Sequence, residues 1–308
     1  MNTLTLAHYY TTPDVQAIAD YVGDSLELAL IAQREKTDRI VFAGVKFMAE
    51  TTKIINPETQ VILPDEEATC SLVTQTNITA LKQWREKYSD HVHVSYINSS
   101  AEHKTISDWI VTSRNVDDVI AELYAQGEKV IFSPDRNMGA YLNYQYGYDM
   151  PVWNAVCEVH DKFKDEQISY MMDNAASEGN VYLLAHPESP LPVLKRADLV
   201  GSTKQMLDWV KDFNGEADTI FIATEEGLLH NMHQLRPELN LQQAPIYSGC
   251  QCNACPYMKR NTVELVKAAQ QGKGFEINYL DEATIEQAVK PIERMLNFSQ
   301  SRLTRKAV

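Results

Sequence analysis

Three heptapeptides in this chain echo one another: Ala19-Asp-Tyr-Val-Gly-Asp-Ser25, Ser107-Asp-Trp-Ile-Val-Thr-Ser113 and Ala197-Asp-Leu-Val-Gly-Ser-Thr203. The aspartate they share recurs at Asp20, Asp108 and Asp198, and self-similarity at a fixed period of about 90 residues marks a chain built from repeated units. A cysteine follows each copy, first Cys70, then Cys157 and finally Cys255. A unit that delivers one thiol and one small hydroxyl residue per copy, tripled, points to a shared central site.

Each unit predicts the same order of elements. In the first, an apolar alternation over 3–8 reads as a strand ending at His8, followed by a Thr-Pro loop and a helix over 15–19. A short strand then enters Gly23-Asp24-Ser25, with a helix over 26–33, a strand over 39–43, a helix over 47–55 and a strand over 60–64. The second unit predicts strands over 92–97 and 129–132 around a short one reaching Thr112-Ser113; the third predicts strands over 181–185, 198–201 and 219–223. His8, Asn98 and His186 fall at matching landmarks. Strands alternating with helices imply parallel sheets flanked by helices, whose ligands bind beyond the C-terminal strand ends. The expected fold is α/β, with three homologous three-layer α/β/α domains around a pseudo-threefold axis and a central active site. The units run over 1–76, 77–163 and 164–259, with a helical tail over 260–308 packed on the first.

At 308 residues, with 44% hydrophobic and 23% charged residues, the chain has no apolar stretch of membrane-spanning length and no leader pattern, so the expectation is a soluble cytoplasmic protein. A net charge of −14 argues against nucleic acid as a partner, although small anions can still be held by helix N-termini. Five cysteines in a chain read as cytoplasmic argue against disulfides and raise metal ligation. Of the cluster Cys250-x-Cys252-x-x-Cys255, one ligand is assigned, Cys255.

Any lone cysteine is most often inert core; equivalent placement in three units argues for ligation by all three. Three thiolates suit zinc or an iron–sulfur cluster. A structural zinc wants a closed fourth position, which His160 could supply, whereas a cubane on three thiolates leaves one iron open as a Lewis acid. Ser25, Ser113 and Thr203 stand at strand-to-helix junctions, where they could cap helices and also cage an anion. His8, Tyr10, Tyr96, Asn98, His186 and Glu188 lie at the first strand end of each unit, a set suited to proton transfer.

The motifs His8-Tyr-Tyr10, Gly23-Asp-Ser25, Tyr96-Ile-Asn-Ser-Ser100, Thr112-Ser113, Pro134-Asp135, Cys157-Glu-Val-His160, His186-Pro-Glu188, Gly201-Ser-Thr203 and Cys255-Pro-Tyr-Met-Lys259 cover nearly the whole chain in order. In them the chain resembles the quinolinate synthase family of NAD biosynthesis. The resemblance implies a 4Fe-4S cluster on Cys70, Cys157 and Cys255 with one open iron. It also implies condensation of iminoaspartate with dihydroxyacetone phosphate to quinolinate, with loss of phosphate and two waters. Carried over by position, Tyr10, Tyr96 and Glu188 become catalytic acid–base residues. Substrate binding falls to His8, Ser25, Tyr96, Asn98, Ser113, His186, Glu188 and Thr203. Iminoaspartate would come from L-aspartate oxidase or aspartate dehydrogenase. Ala155, Arg114 and Lys204 depart from the usual family pattern without removing a ligand. Two other readings compete: a zinc-stabilised dicarboxylate-binding protein without turnover, and a redox sensor built on Cys250, Cys252 and Cys255.

Overall fold

A computed structural model describes residues 2–177, 179–215, 219–246 and 253–306. It is a mixed α/β structure with three sheets. The first contains β1 (Thr3–His8), β2 (Tyr21–Gly23), β3 (Arg39–Ala43) and β4 (Gln60–Leu63); the second β5 (Val92–Tyr96), β6 (Trp109–Val111) and β7 (Val130–Ser133). The third contains β8 (Val181–Ala185), β9 (Leu199–Val200), β10 (Thr219–Ala223) and β11 (Leu241–Gln243). Pairing among these strands is parallel throughout. β7 and β10 are buried along their whole length, as apolar strands covered on both faces must be.

The repeated aspartate has a structural job. Asp20 donates its N–H to Thr5 O and accepts the Thr5 N–H on Oδ2 at 2.7 Å. Asp108 makes the same pair of bonds with His93, and Asp198 with Leu183, each at 2.8 Å through the carboxylate. One side chain thus closes a two-bond ring between the first and second strands of each sheet, worth on the order of 1 kcal/mol per bond. This ring fixes the register: Leu6 lies opposite Tyr21, Val94 opposite Trp109 and Leu184 opposite Leu199. Counting on from these positions, His8 matches Tyr96 and His186, while Tyr10 matches Asn98 and Glu188. The expected pairing of Asn98 with the two histidines is therefore shifted by two residues.

Element boundaries otherwise differ by a few residues. The first helix is a single turn, Pro13–Gln16, started by proline at its first position. Asp198 and Gly201 stand outside the two-residue strand β9, the former because its side chain is occupied in the ring. The tail is not wholly helical. It contains helices Val263–Gln270 and Glu282–Lys306, but also β12 (Phe275–Glu276), which joins the first sheet antiparallel to β4. The long helix lies against helices Lys46–Ile55 and Ala101–Thr105 and against β6. Its Ile292, Met295 and Leu296 belong to one apolar core shared by the first two sheets, whereas the third sheet is flanked by separate clusters. No described helix is long and apolar enough to cross a membrane.

Candidate active site

The strand ends of all three sheets open onto one cavity with about 60 Å³ open to the centres of water molecules. All twelve residues expected at the site line it: Tyr10, Tyr96 and Glu188; His8, Ser25, Asn98, Ser113, His186 and Thr203; Cys70, Cys157 and Cys255. Ala155, Arg114 and Lys204 do not. Arg114 faces Asp24 at 3.9 Å and Lys204 pairs with Asp208, so these departures sit outside the cavity wall. Cys250 and Cys252 lie outside the described residues.

Each first strand brings two residues to the cavity, two positions apart: His8 and Tyr10, Tyr96 and Asn98, His186 and Glu188. His8 Nδ1 accepts the Tyr10 N–H at 3.1 Å, which places the ring proton of the neutral imidazole on Nε2. Burial, aided by the facing His186, pushes the His8 pKa down to about 3, so the ring stays neutral at ordinary pH.

The three hydroxyl residues do not cap their helices. Asp24 caps Ser25–Arg34 by accepting the Glu27 N–H, and Ser202 caps Thr203–Asp212 in a reciprocal box with Gln205. In the second unit Asn115 occupies the cap position of Val116–Ala125. With the preceding residue doing the capping, Ser25 and Thr203 stand at the first helical position and line the cavity, as does Ser113 beside Tyr96.

Glu188 is the charged centre. Its Oε2 lies 2.8 Å from His160 Nδ1 and 3.2 Å from His186 Nδ1, while the buried Oε1 has no hydrogen-bond partner. Burial pushes its pKa up, but His186 and His160 outweigh this and hold the carboxyl below its ordinary range. A chain of bonds continues behind it. His160 Nε2 is 2.9 Å from Thr224 Oγ1, which is 2.8 Å from the Tyr10 hydroxyl. With Nδ1–H donating to Glu188, the donors run in one direction: Tyr10 O–H to Thr224, Thr224 O–H to His160 Nε2, His160 N–H to Glu188. Burial, and then the Glu188 charge, raise Tyr10 and Tyr96 well above the usual phenol range, so both phenols keep their protons. The sequence marks His160 only as a candidate fourth ligand of a zinc site beside Cys157, and nothing in it singles out Thr224.

Each sulfur sits where a short helical turn begins. Backbone N–H groups of Leu72 and Val73 point at Cys70 Sγ, that of His160 at Cys157 Sγ, and those of Tyr257 and Met258 at Cys255 Sγ. Burial nevertheless pushes all three thiols up, Cys255 to about 11, and Cys70 and Cys157 are raised further by the charge of neighbouring sulfurs. Thiolates gathered here need a cation between them. Cys157, His160 and Glu188 also bring one donor atom each within 4.8 Å of one another, a group that could hold a metal ion.

The sequence matches the NadA family, described as quinolinate synthetase A protein, over residues 1–297. A protein from Gloeothece citriformis is 42% identical over 301 residues, covering 97% of this chain and 91% of its own. Proteins from Microcystis aeruginosa and Chloroherpeton thalassium are each 40% identical, covering 97% of this chain and 92% and 91% of their own. All three are named quinolinate synthase.

Proposed function

Because the chain belongs to the quinolinate synthetase A family, we propose that its cavity forms quinolinate from iminoaspartate and dihydroxyacetone phosphate, with release of phosphate and two waters. The observation that carries this reading is the convergence of three thiols, three hydroxyls and three strand-end pairs on one cavity. Three repeats over 1–76, 77–163 and 164–259, set around a pseudo-threefold axis through that cavity, account for it; the tail 260–308 packs on the first. The equal registers set by Asp20, Asp108 and Asp198 support this division.

Cys70, Cys157 and Cys255 would hold a 4Fe-4S cluster. Soft thiolate donors suit it, amide N–H groups already point at the sulfurs, and mutual repulsion among buried thiolates is relieved by the metal. Bound there, the cluster supplies an iron free of protein ligands, a Lewis acid for a substrate oxygen.

The chain's own residues divide the remaining work. Ser25, Thr203 and the helix N-termini beside them, with Ser113 and the Nε2–H of His8, bind substrate carboxylates or phosphate. His186 and Asn98 complete that cage; the Asn98 Oδ1 is buried without a partner until a ligand donates to it. Glu188, ionised and with its buried Oε1 free of hydrogen-bond partners, takes a proton from carbon or nitrogen. Tyr10, protonated at rest, takes a substrate proton as its own passes through Thr224 to His160, and the resulting imidazolium is stabilised by Glu188 at 2.8 Å. Tyr96, backed by Ser113, donates to a leaving oxygen.

Iminoaspartate hydrolyses in water, so supply by L-aspartate oxidase or aspartate dehydrogenase at close quarters fits this chemistry; adding such an enzyme should raise quinolinate yield above that from free imine. The deciding experiment reconstitutes the chain anaerobically with iron and sulfide, then assays it with imine generated in place and dihydroxyacetone phosphate. Quinolinate formation that depends on iron is expected; full activity from iron-free protein overturns the cluster. The group Cys157, His160 and Glu188 favours one other reading, a zinc-stabilised binder of dicarboxylates. Stoichiometric zinc and ligand binding without turnover would establish it.

A further inference from the structure

The three thiols are not held alike. Strand pairing sets Phe42, Phe132 and Ile222 opposite Leu6, Val94 and Leu184, so Val45, Asp135 and Glu225, three positions on, are equivalent. Immediately after them, the N–H groups of Lys46, Arg136 and Glu226 donate to the carbonyls of Ala68, Ala155 and Asn253, at 2.7, 2.8 and 3.2 Å. Each of those carbonyls lies two residues before a cavity cysteine, so every cysteine loop has this first tether.

A second tether exists in two units. Asp135 Oδ2 accepts the Cys157 N–H at 2.9 Å while its Oδ1 accepts the Met138 N–H at 2.9 Å. Glu225 Oε1 accepts the Cys255 N–H at 2.9 Å while its Oε2 accepts the Gly227 N–H at 2.6 Å. Both side chains are fully buried. Val45, also buried, has no acceptor to offer Cys70. Burying a carboxyl group is costly. The side chain fits the place because each of its oxygens accepts a backbone N–H, joining the cysteine's backbone to the start of the helix that follows the strand; Glu225 Oε1 is paired with Lys259 Nζ at 2.7 Å as well. An amide in the same position would turn one acceptor into a donor facing an N–H.

We propose that Asp135 and Glu225 are positioning residues that hold Cys157 and Cys255 in ligand geometry, leaving Cys70 as the thiol with the single tether. This rests on the reading of the three thiols as metal ligands. Preorganising two of three ligands lowers the ordering cost of binding the metal, while the third can adjust as the metal enters.

Two measurements on the full chain test it. In the metal-free chain, pulsed alkylation mapped by mass spectrometry should show Cys157 reacting about tenfold faster in Asp135→Asn, and Cys255 about tenfold faster in Glu225→Gln, each the loss of one buried bond. Cys70 should be unchanged in both. Equal acceleration at all three thiols, which a folding defect produces, overturns the proposal, as does no change at the tethered thiol. In the iron- and sulfide-reconstituted chain, release of iron to a chelator should be about tenfold faster in each variant; unchanged release overturns it too. If the parent chain takes up no iron, the reading of the thiols as ligands fails, and the alkylation pattern still decides whether the carboxylates hold the cysteines.

Discussion

Two groups of buried histidines lie in this molecule, and only one of them is equipped for chemistry. Around Glu188, His160 and His186 share one carboxylate oxygen with His8 nearby, and the other oxygen is buried without a hydrogen-bond partner. In the second sheet, His93 and His103 stack with ring centres 5.8 Å apart and bond only to hydroxyls and a carbonyl. His93 Nε2 meets Ser133 at 2.6 Å, His103 Nε2 meets Ser133 and Ser95, His93 Nδ1 donates to Ile106 O, and Ser107 donates to Ser95. Burial depresses His93 to about 4 and holds His103 well below its ordinary value; at His93 the Asp108 carboxylate, bonded to the backbone N–H, opposes this only in part. In the cavity, Glu188 opposes the same burial effect at His186. Burial by itself keeps imidazoles neutral; a bonded carboxylate opposes that effect, which is what the proposed proton transfers at Glu188 require.

The largest effect should come from removing that charge. Glu188→Gln keeps the shape, and kcat should fall about 10²- to 10⁴-fold with iron per chain unchanged. In the same variant, NMR titration should find His186 depressed further than in the parent, since the opposing carboxylate is gone. An unaltered kcat would put the two histidine groups on the same footing.

Thr224→Val cuts the link between Tyr10 and His160 without touching Glu188. A loss of about tenfold to a hundredfold in kcat at constant KM is expected, and a change confined to KM would assign Thr224 to substrate binding instead.

The hydroxyl cluster should report through stability. His93 is neutral in the folded chain down to about pH 4, whereas the unfolded chain protonates it below about 6.5. Between those values the unfolded state binds more protons, so stability is full above pH 6.5 and declines as pH falls toward 4. His93→Gln should flatten that decline in denaturant titrations across the range; an unchanged slope would remove His93 as its source. Arg85 and Asp108 also face His93, and their opposing charges belong to the same measurement. Smallest of all, Ser107→Ala removes a buried hydroxyl shared between Ser95 Oγ and His103 O and should cost about 1 kcal/mol of unfolding free energy, read from the denaturation midpoint.

Much of the site was legible in the sequence because its residues sit at ends of strands that alternation and turn chemistry locate well. The twelve cavity residues are such residues or the cysteines beyond them. Thr224 and Glu225 escaped because each is a polar residue just after a strand with its partner far along the chain, and Asp135, although part of the Pro134-Asp135 motif, carried no local sign of its bond to Cys157. The helix caps were misplaced by one residue, since Ser25 and Asp24, or Thr203 and Ser202, are equally good caps by type. Asn98 was set against the wrong partners because motif spacing tolerates a shift of two, which in a strand preserves the face.

The sequence by itself determined the α/β alternation and which residue types stand at the strand ends, because these are carried by local patterns a chain keeps wherever it folds. The tertiary structure decided what those residues face. Only the folded chain shows that the repeated aspartates reach back to the neighbouring strand and bind its backbone, or that two cysteines are held by carboxylates and one is not. Only there does His160 stand between Thr224 and Glu188 while His93 stands among serines. Those distinctions depend on contacts between distant segments, and a side chain's protonation and reach are set by such neighbours rather than by its place in the sequence.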